Sequence, residues 1–396
     1  MSKFTAIIID KLKQAYGRGL DKHEKDIVCS VLNSNNFGQV IINARPDEIK
    51  NVGIILFSIK KYEGGVTSVL RLGTGLAKLG YNVTYVIYGN LSEKELLANA
   101  KFNLPSFSGE IKKASDCSNK DFDVVVATSW RTVYKLNDYL AYKMYFVQDF
   151  EPYFFKLNER YLLAKLTYEL GMHIVSLGQW NINQIRKECG STPSKLDYID
   201  FPYEKSEYNC TEKRDYNNYL GKKKYKIAVY IKEDGKRIPN IVQYILIQAT
   251  RDLRNYGIEL EINFFGLNAK YSTAVGKNLG KLSKSELAKL YRESDFGMVA
   301  SMTNISLVPY EMIATGLPIF EFSDGSFTDF FNDKCALLIN YDYRVFVDKF
   351  IEAVSNPEML IEMIDEANII MKNLSWEKSC KQFASYMEGN EYTDEK

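Results

Sequence analysis

Ser306-Leu-Val-Pro-Tyr-Glu311-Met-Ile-Ala-Thr-Gly316-Leu-Pro318 lies between two apolar runs, Phe296–Ala300 before it and Ile319–Phe322 after it. The first run reads as a short strand that enters a polar loop, Ser301–Ile305. Ser306 is placed to cap a helix carrying Glu311, Gly316 to end it, and Pro318 to precede the next strand. Strand, helix and strand in that order make one step of a parallel sheet. The reading sets a carboxylate a turn inside a helix whose free backbone N–H groups face the loop. A helix start of this kind favours phosphate, and a carboxylate beside it accepts hydrogen bonds from sugar hydroxyls. Together they suit a sugar diphosphate.

The same alternation runs outward from this stretch. Upstream, Val52–Ile59 reads as a buried strand, Gly64-Gly65 as a turn, Val66–Leu79 as a helix closed by Gly80, and Tyr81–Tyr88 as the next strand. Asp123–Ala127, Tyr145–Val147 and His173–Ser176 are further strands, with helices at Asn158–Leu170 and Trp180–Cys189. Alternation restarts with a strand at Ile227–Ile231, a helix at Ile241–Asn255 and a strand at Leu260–Phe265. Ser283-Lys-Ser-Glu286 is a capping box that starts a helix ending near Ser294. A strand at Ala336–Ile339 and helices over 344–355, 357–373 and Glu377–Tyr386 follow. The expected architecture is α/β, two Rossmann-like doubly wound domains facing a central cleft, with ligands at the carboxyl ends of the strands.

Five segments are expected. Residues 1–50 form a helical N-terminal extension, with Phe4, Ile7, Ile8, Leu12 and Ala15 at helical spacing and Asp21–Leu32 as a second short helix. Residues 51–205 form the first domain, 206–224 a linker rich in Glu, Lys, Asn and Tyr, and 225–375 the second domain. Residues 376–396 form a C-terminal helix that packs back on the first. The extension reads as a docking arm on its own chain or as a contact for a partner or membrane surface.

At 396 residues the chain exceeds one ordinary core. A net charge of +1 gives no support for a nucleic-acid binder. The six cysteines form no C-x-x-C pair, and with only His23 and His173 beside them no metal site is expected. Scattered thiols fit a reducing cytoplasm. No apolar run approaches ~18 residues, so no membrane-spanning helix is expected. Asp10 and Lys11 behind a short apolar patch make a poor signal peptide. Of the 28 tyrosines and 22 phenylalanines most belong to the core, with some available to stack on carbohydrate.

Several loop residues are candidates for chemistry. Gly64-Gly65 lets backbone approach a ligand at a helix start, or is a plain tight turn; it lacks the G-x-G-x-x-G dinucleotide pattern. Lys232 and Arg237, in one strand-to-helix loop, clamp a diphosphate or belong to an exposed charged loop. Gln148, Asp149 and Glu151 follow a strand, with hydroxyl binding, general-base work and turn capping all open to the carboxylates. Asp121 and Asp123 spell D-x-D, but they precede their strand, the wrong end for a site, and read as structural. His173 reads as packed, and no G-x-S-x-G elbow is present.

Taken together, these features resemble the GT-B glycosyltransferases, and within them the large family 4 of retaining enzymes, over about residues 52–390. Leu307–Pro318 is similar to that family's LV-x-x-E-A-M-A-x-G-x-P signature, and Ser283–Ser301 to its L-s-x-x-E-L-a-x-l-Y-r-x-s-D stretch. Tyr145-Phe-Val-Gln-Asp149-Phe-Glu151-Pro152 and Tyr230-Ile-Lys232 with Lys236-Arg237 resemble the subgroup of bacterial rhamnosyltransferases that build cell-surface glycans. The resemblance implies transfer of a sugar, L-rhamnose from a dTDP donor in the first instance, to a hydroxyl of a glycan or lipid-linked saccharide, with retention and without metal or cofactor. It implies that Glu311 holds donor hydroxyls and that Lys232 and Arg237 neutralise the diphosphate. Gly64, Gly65, Gly266, Thr303, Ser306, Leu307 and Val308 would complete the donor site, and Asp149, Gln148 and Glu151 would lie near the reacting carbon or the acceptor. The first domain would take the acceptor and the second the nucleotide sugar.

The resemblance departs at one position. The family often carries a second Glu eight residues before the first, and here Thr303 stands there. That leaves a non-catalytic nucleotide- or glycan-binding module open, and a sugar-nucleotide epimerase of similar fold stays open beside it. The expected location is the cytoplasm, with peripheral contact at the inner face of the membrane, a neighbouring glycosyltransferase domain or a second copy of the chain as further partners left open.

Overall fold

Apolar runs such as Ile54–Leu56 and Val124–Ala127 are buried along their whole length, as strands of a parallel sheet covered on both faces must be. The computed structural model describes residues 22–41, 43–205, 207–208, 214–233 and 236–392. The helix expected around Phe4–Ala15 lies outside the described residues, as does Cys210. The chain divides into two compact units, one reaching to Ile199 and including the residues from Cys380 onward, the other running from Asp200 to Ser379.

The first unit begins with α1 (Lys22–Leu32) and continues as β1 (Asn51–Leu56), α2 (Gly64–Lys78), β2 (Asn82–Ile87), α3 (Glu93–Asn103), β3 (Glu110–Lys113), β4 (Val124–Ala127), α4 (Trp130–Val133), β5 (Tyr142–Val147), α5 (Glu159–Leu166), β6 (His173–Leu177), α6 (Gln179–Cys189) and β7 (Lys195–Ile199). All seven strands are parallel, in the order β3-β2-β1-β4-β5-β6-β7. The order reverses between β1 and β4. Residues 22–41 dock on this unit. Ile27, Val28 and Val31 are buried, Arg160 pairs with Glu24 at 2.6 Å, and Phe37 stacks on Tyr134.

The second unit holds β8 (Lys224–Tyr230), α7 (Pro239–Asn255), β9 (Glu259–Phe265), β10 (Lys277–Asn278), α8 (Lys284–Glu293), β11 (Phe296–Met298), α9 (Leu307–Ala314), β12 (Ile319–Phe322), β13 (Leu337–Ile339), α10 (Tyr343–Ser355) and α11 (Pro357–Met371). Its six parallel strands run β10-β9-β8-β11-β12-β13, reversing between β8 and β11. The capping box at Ser283 and Glu286 is formed.

The last helix, α12 (Trp376–Glu388), begins in the second unit and from Cys380 belongs to the first. There Phe383 meets Phe146 edge-on and Tyr81 donates to Glu388. Gly75 in the middle of α2 makes this contact possible. A Cβ there would stand 2.2 Å from Cys380 Sγ, so the helix accepts a residue that costs about 1 kcal/mol relative to Ala.

The stretch 206–224, expected to be a linker, is packed where it is described. Where described, it belongs to the second unit. Tyr216 and Tyr219 are buried, their hydroxyls donate to the carbonyls of Gly316 and Asp295 at 2.6 Å each, and Arg214 donates to Tyr291 and Ser294 carbonyls. Tyrosine buries area like an aliphatic and brings a hydroxyl that satisfies a loop carbonyl, which an aliphatic count overlooks. Among the described residues, no helix is long and apolar enough to cross a membrane.

Candidate functional site

In the second unit the loops at the carboxyl ends of β8, β11 and β12 meet at the point where strand order reverses, the position where open α/β sheets bind ligands. After β8, Lys232 is half-buried with its Nζ 5.9 Å from the centre of the Tyr230 ring. Arg237 lies 5.9 Å from the same ring but is 3% exposed. It differs from the exposed charged loop that its neighbours suggest. Its Nη1 donates to the Ala300 carbonyl at 3.1 Å and its Nη2 to the Asn304 carbonyl at 3.3 Å, while its Nε is buried without a protein acceptor. Ile238 next to it has φ 40°, a left-handed conformation that a β-branched residue adopts only under strain. Gly266, at the end of β9, has φ +92°, and a Cβ there would stand 2.7 Å from the Tyr230 ring and 2.9 Å from the Ile231 carbonyl. Only glycine lets the β9 turn approach the β8 turn so closely.

After β11, Thr303 is buried and Ser306 occupies the N-cap position of α9. Contrary to expectation, the Ser306 side chain makes no capping hydrogen bond, and its Oγ is buried without a partner. A cap accepts from the second or third helical N–H; Pro309, the third helical residue, has none, and the second, Val308 N–H, is not taken by Ser306. The start of α9, with Leu307 and Val308 half-buried, therefore keeps N–H groups that its own cap does not use. Glu311, partly exposed, accepts from the hydroxyl of Tyr291 at 3.3 Å.

Beneath these loops lies a carboxylate outside the expected set. Glu321, in the middle of β12, is wholly buried. It accepts from Ser301 N–H at 3.0 Å and Ser301 Oγ at 2.7 Å. Burial pushes its pKa up to about 7, against the opposing pull of the Ser301 hydrogen bonds and of the Arg237 charge. Its signal was a lone Glu inside Ile-Phe-Glu-Phe, since a charge in a doubly covered strand needs a specific partner.

In the first unit the charged residues of the loop after β1, Lys60, Lys61 and Glu63, are exposed. Gly64 and Gly65 open α2. A Cβ on Gly64 would meet nothing within 4 Å, whereas one on Gly65 would lie 3.3 Å from Gln148 Oε1. Gln148, after β5, is thus brought against the glycine turn after β1. Asp149 is buried, and its Oδ1 accepts from Phe150 N–H at 3.0 Å. Glu151 takes the capping role. Its Oε2 accepts from Trp130 N–H at the start of α4, which uses the carboxylate to fix the fold. The aromatic run around it is core. Tyr145 and Phe150 stack on Tyr168, while Tyr153 and Phe154 are exposed.

Asp121 and Asp123 hold backbone, as expected. Asp123 accepts from Lys50 and Asn51 N–H at 2.9 and 2.7 Å, and Asp121 from Ser118 N–H at 2.8 Å. His173 is buried between Tyr142 and Asp197, at 2.9 and 2.8 Å, and burial lowers its pKa. Among the described residues, no group of three or more His, Cys, Asp or Glu could hold a metal ion.

No family model matches the chain, and no curated protein matches it. Solved structures do. The chain is similar to sucrose-phosphate synthase from Thermosynechococcus elongatus, with TM-score 0.64 and 12% identity over 85% of this chain and 98% of that one. It is similar to HepE of Anabaena in complex with UDP-glucose, with TM-score 0.66 and 11% identity over 85% and 99%. For TarM, a protein also solved from S. aureus with UDP and α-GlcNAc-glycerol, the TM-score is 0.67 with 8% identity over 87% and 99%. The chain has the two-domain parallel-sheet fold of the GT-B glycosyltransferases.

Proposed function

We propose that the chain is a GT-B glycosyltransferase that transfers a sugar from a nucleoside diphosphate donor to a glycan hydroxyl. One observation carries the reading. Where strand order reverses in the second unit, a half-buried cation (Lys232), a buried guanidinium with an unused Nε (Arg237) and an uncapped helix start with a buried, unpartnered Ser306 Oγ lie on neighbouring loops. Buried polar atoms without protein partners call for water or a ligand. Cations and helix N–H groups select phosphate oxygens, and Glu311 supplies an acceptor for hydroxyls.

In the transfer, the bond from the anomeric carbon to the diphosphate breaks and a bond to the acceptor oxygen forms. The diphosphate leaves with the electron pair, and the acceptor hydroxyl gives up its proton. Charge grows on the leaving group, and Lys232, Arg237 and the α9 start stabilise it. This assigns charge neutralisation to the protein itself, so no metal is invoked. The motif likeness favours retention, a dTDP-linked rhamnose donor and a bacterial surface glycan as the first substrates to test. The solved HepE bound to UDP-glucose makes UDP-sugars the second. Thr303, where the family that the motifs resemble often carries a Glu, favours a binding module without turnover as the alternative.

The test is a thermal-shift panel of UDP, GDP, dTDP and their sugars on wild type and Glu311→Ala. A shift with one nucleotide, reduced in the mutant, is expected, followed by transfer from the matching sugar. No shift with any nucleotide overturns the reading. Binding without product, given a range of glycan acceptors, favours the module, and product without acceptor favours an epimerase.

A further inference from the structure

We propose that Glu321 is a positioning residue of the nucleotide site, acting through a buried clamp of Glu321, Arg237 and Ser326 on the loop Ala300–Asn304. The proposal rests on the donor-site reading above. The loop joins β11 to the start of α9, and polar side chains from outside it hold it along its length. Arg237 donates to the carbonyls of Ala300 and Asn304, at 3.1 and 3.3 Å. Glu321 accepts from both the N–H and the hydroxyl of Ser301. Ser326 donates its N–H to the Ser301 carbonyl at 2.7 Å and its hydroxyl to the Thr303 carbonyl at 2.5 Å. All three clamp residues are at most 3% exposed. Irregular backbone inside a protein needs such partners, and this loop receives them from three separate segments of the chain.

A glutamine at position 321 would keep the shape but has one acceptor oxygen where the carboxylate uses two, one for Ser301 N–H and one for its hydroxyl, so it holds the loop less firmly. A carboxylate adds a negative charge acting on Arg237, which balances a guanidinium otherwise buried alone. The strands flanking β12, β11 and β13, carry no titratable side chain, and Arg237 is the charged group that acts on Glu321 among the described residues. Two consequences follow. The loop that ends in Ser306 is set before a ligand arrives, so little ordering remains at binding. A phosphate drawn to Arg237 also competes with Glu321 for that charge, so nucleotide binding raises the proton affinity of Glu321 and takes up a proton.

Two measurements on Glu321→Gln, which keeps the side chain's shape, test this. The first is hydrogen exchange of unliganded protein. Peptides covering 300–306 are expected to exchange about tenfold faster in Glu321→Gln and in Ser326→Ala, with peptides of the first unit unchanged. Unchanged exchange at the loop overturns the clamp. The second is the affinity for UDP, GDP and dTDP between about pH 6 and pH 8. The ligand's own ionisation cancels in the ratio of wild-type to mutant affinity. That ratio is expected to fall by about tenfold as pH rises, and a constant ratio overturns the positioning role. If the wild type binds none of the nucleotides, the donor-site reading itself fails. If wild type and mutant bind alike at every pH, this proposal alone fails.

Discussion

The turn after β1 in the first unit and the turn after β8 in the second stand at the same place in their sheets, where strand order reverses. They are built differently. The first is Gly64-Gly65, with open space over one glycine and Gln148 over the other. The second is a cationic loop whose Lys232 is half-buried and whose Arg237 is turned inward onto the loop after β11. The fold supplies the same location twice, because parallel strands leave a crevice wherever connections part to opposite sides. What the crevice can hold depends on the turn. The first turn offers backbone at close range, with its Lys60, Lys61 and Glu63 exposed, whereas the second offers a guanidinium already fixed in position. On the proposed reading the second unit's turn binds the leaving group.

The largest effect that separates the two turns should come from Lys232→Ala. Removing one charge that stabilises a leaving group is expected to lower turnover by about 10²-fold. Stability should stay within about 0.5 kcal/mol, since a half-buried loop cation has no core role. Steady-state kinetics beside a urea melt checks both. Normal turnover would remove the electrostatic half of the comparison.

Glu321 gives the next effect, on stability against pH. Its pKa is raised in the folded protein to about 7 from an ordinary value of 4.5. Below about pH 4.5 the group is protonated in both states and its contribution is fully present. As pH rises toward 7 the unfolded chain ionises first, and stability is lost through the folded pKa. The wild type should therefore lose on the order of 3 kcal/mol relative to Glu321→Gln between pH 4.5 and pH 8. Denaturant midpoints at the two ends measure it. A flat difference would mean that Arg237 and Ser301 offset burial completely.

Glu311→Ala is expected to weaken nucleotide-sugar binding by about tenfold, the scale of one charged hydrogen bond. It also leaves the buried Tyr291 hydroxyl without this acceptor, which should cost about 1 kcal/mol of stability. Calorimetric affinity and a thermal melt read the two separately. Loss of stability with affinity intact would make Glu311 a support for α8 and leave the donor hydroxyls to other groups.

Much of this arrangement was legible before the fold was seen. Strands such as β1, β4, β9 and β12 are apolar runs between turn signals, so periodicity located them within a few residues. The edges were not legible. Glu110–Lys113 and Lys195–Ile199 are half-polar strands at the ends of the sheet, and short polar edges carry no apolar signature. Site residues divided the same way. Glu311 followed from the helix phrase, whereas the cap expected at Ser306 is not formed. The burial of Arg237 was hidden, because Lys-Glu-Asp-Gly-Lys-Arg reads as a solvated loop until the loop after β11 is placed against it. Glu151 likewise needed the fold to bring Trp130 N–H within reach. Local sequence encodes elements and their ends, whereas a side chain's partner forty or eighty residues away is a property of the assembled sheet.

The glycine turn yields the smallest effects and the sharpest distinction. Neither Gly64 nor Gly65 has a positive φ, so alanine fits the backbone at both positions and is expected to stabilise the protein by up to about 1 kcal/mol. If the pair is only a helix start, both substitutions should raise the melting temperature and leave transfer unchanged. If a ligand approaches this backbone, the two should diverge in cause. The Cβ of Gly64→Ala enters space that no protein atom occupies within 4 Å, so any loss of transfer there reports a ligand directly. The Cβ of Gly65→Ala meets Gln148 at 3.3 Å, so its loss should be matched by Gln148→Ala. A loss of about five- to tenfold in transfer, the size of one disturbed contact, together with a higher melting temperature would place the ligand on the first unit's turn. Equal activity in all three variants would leave the second unit's cationic turn as the only one of the pair that does chemistry.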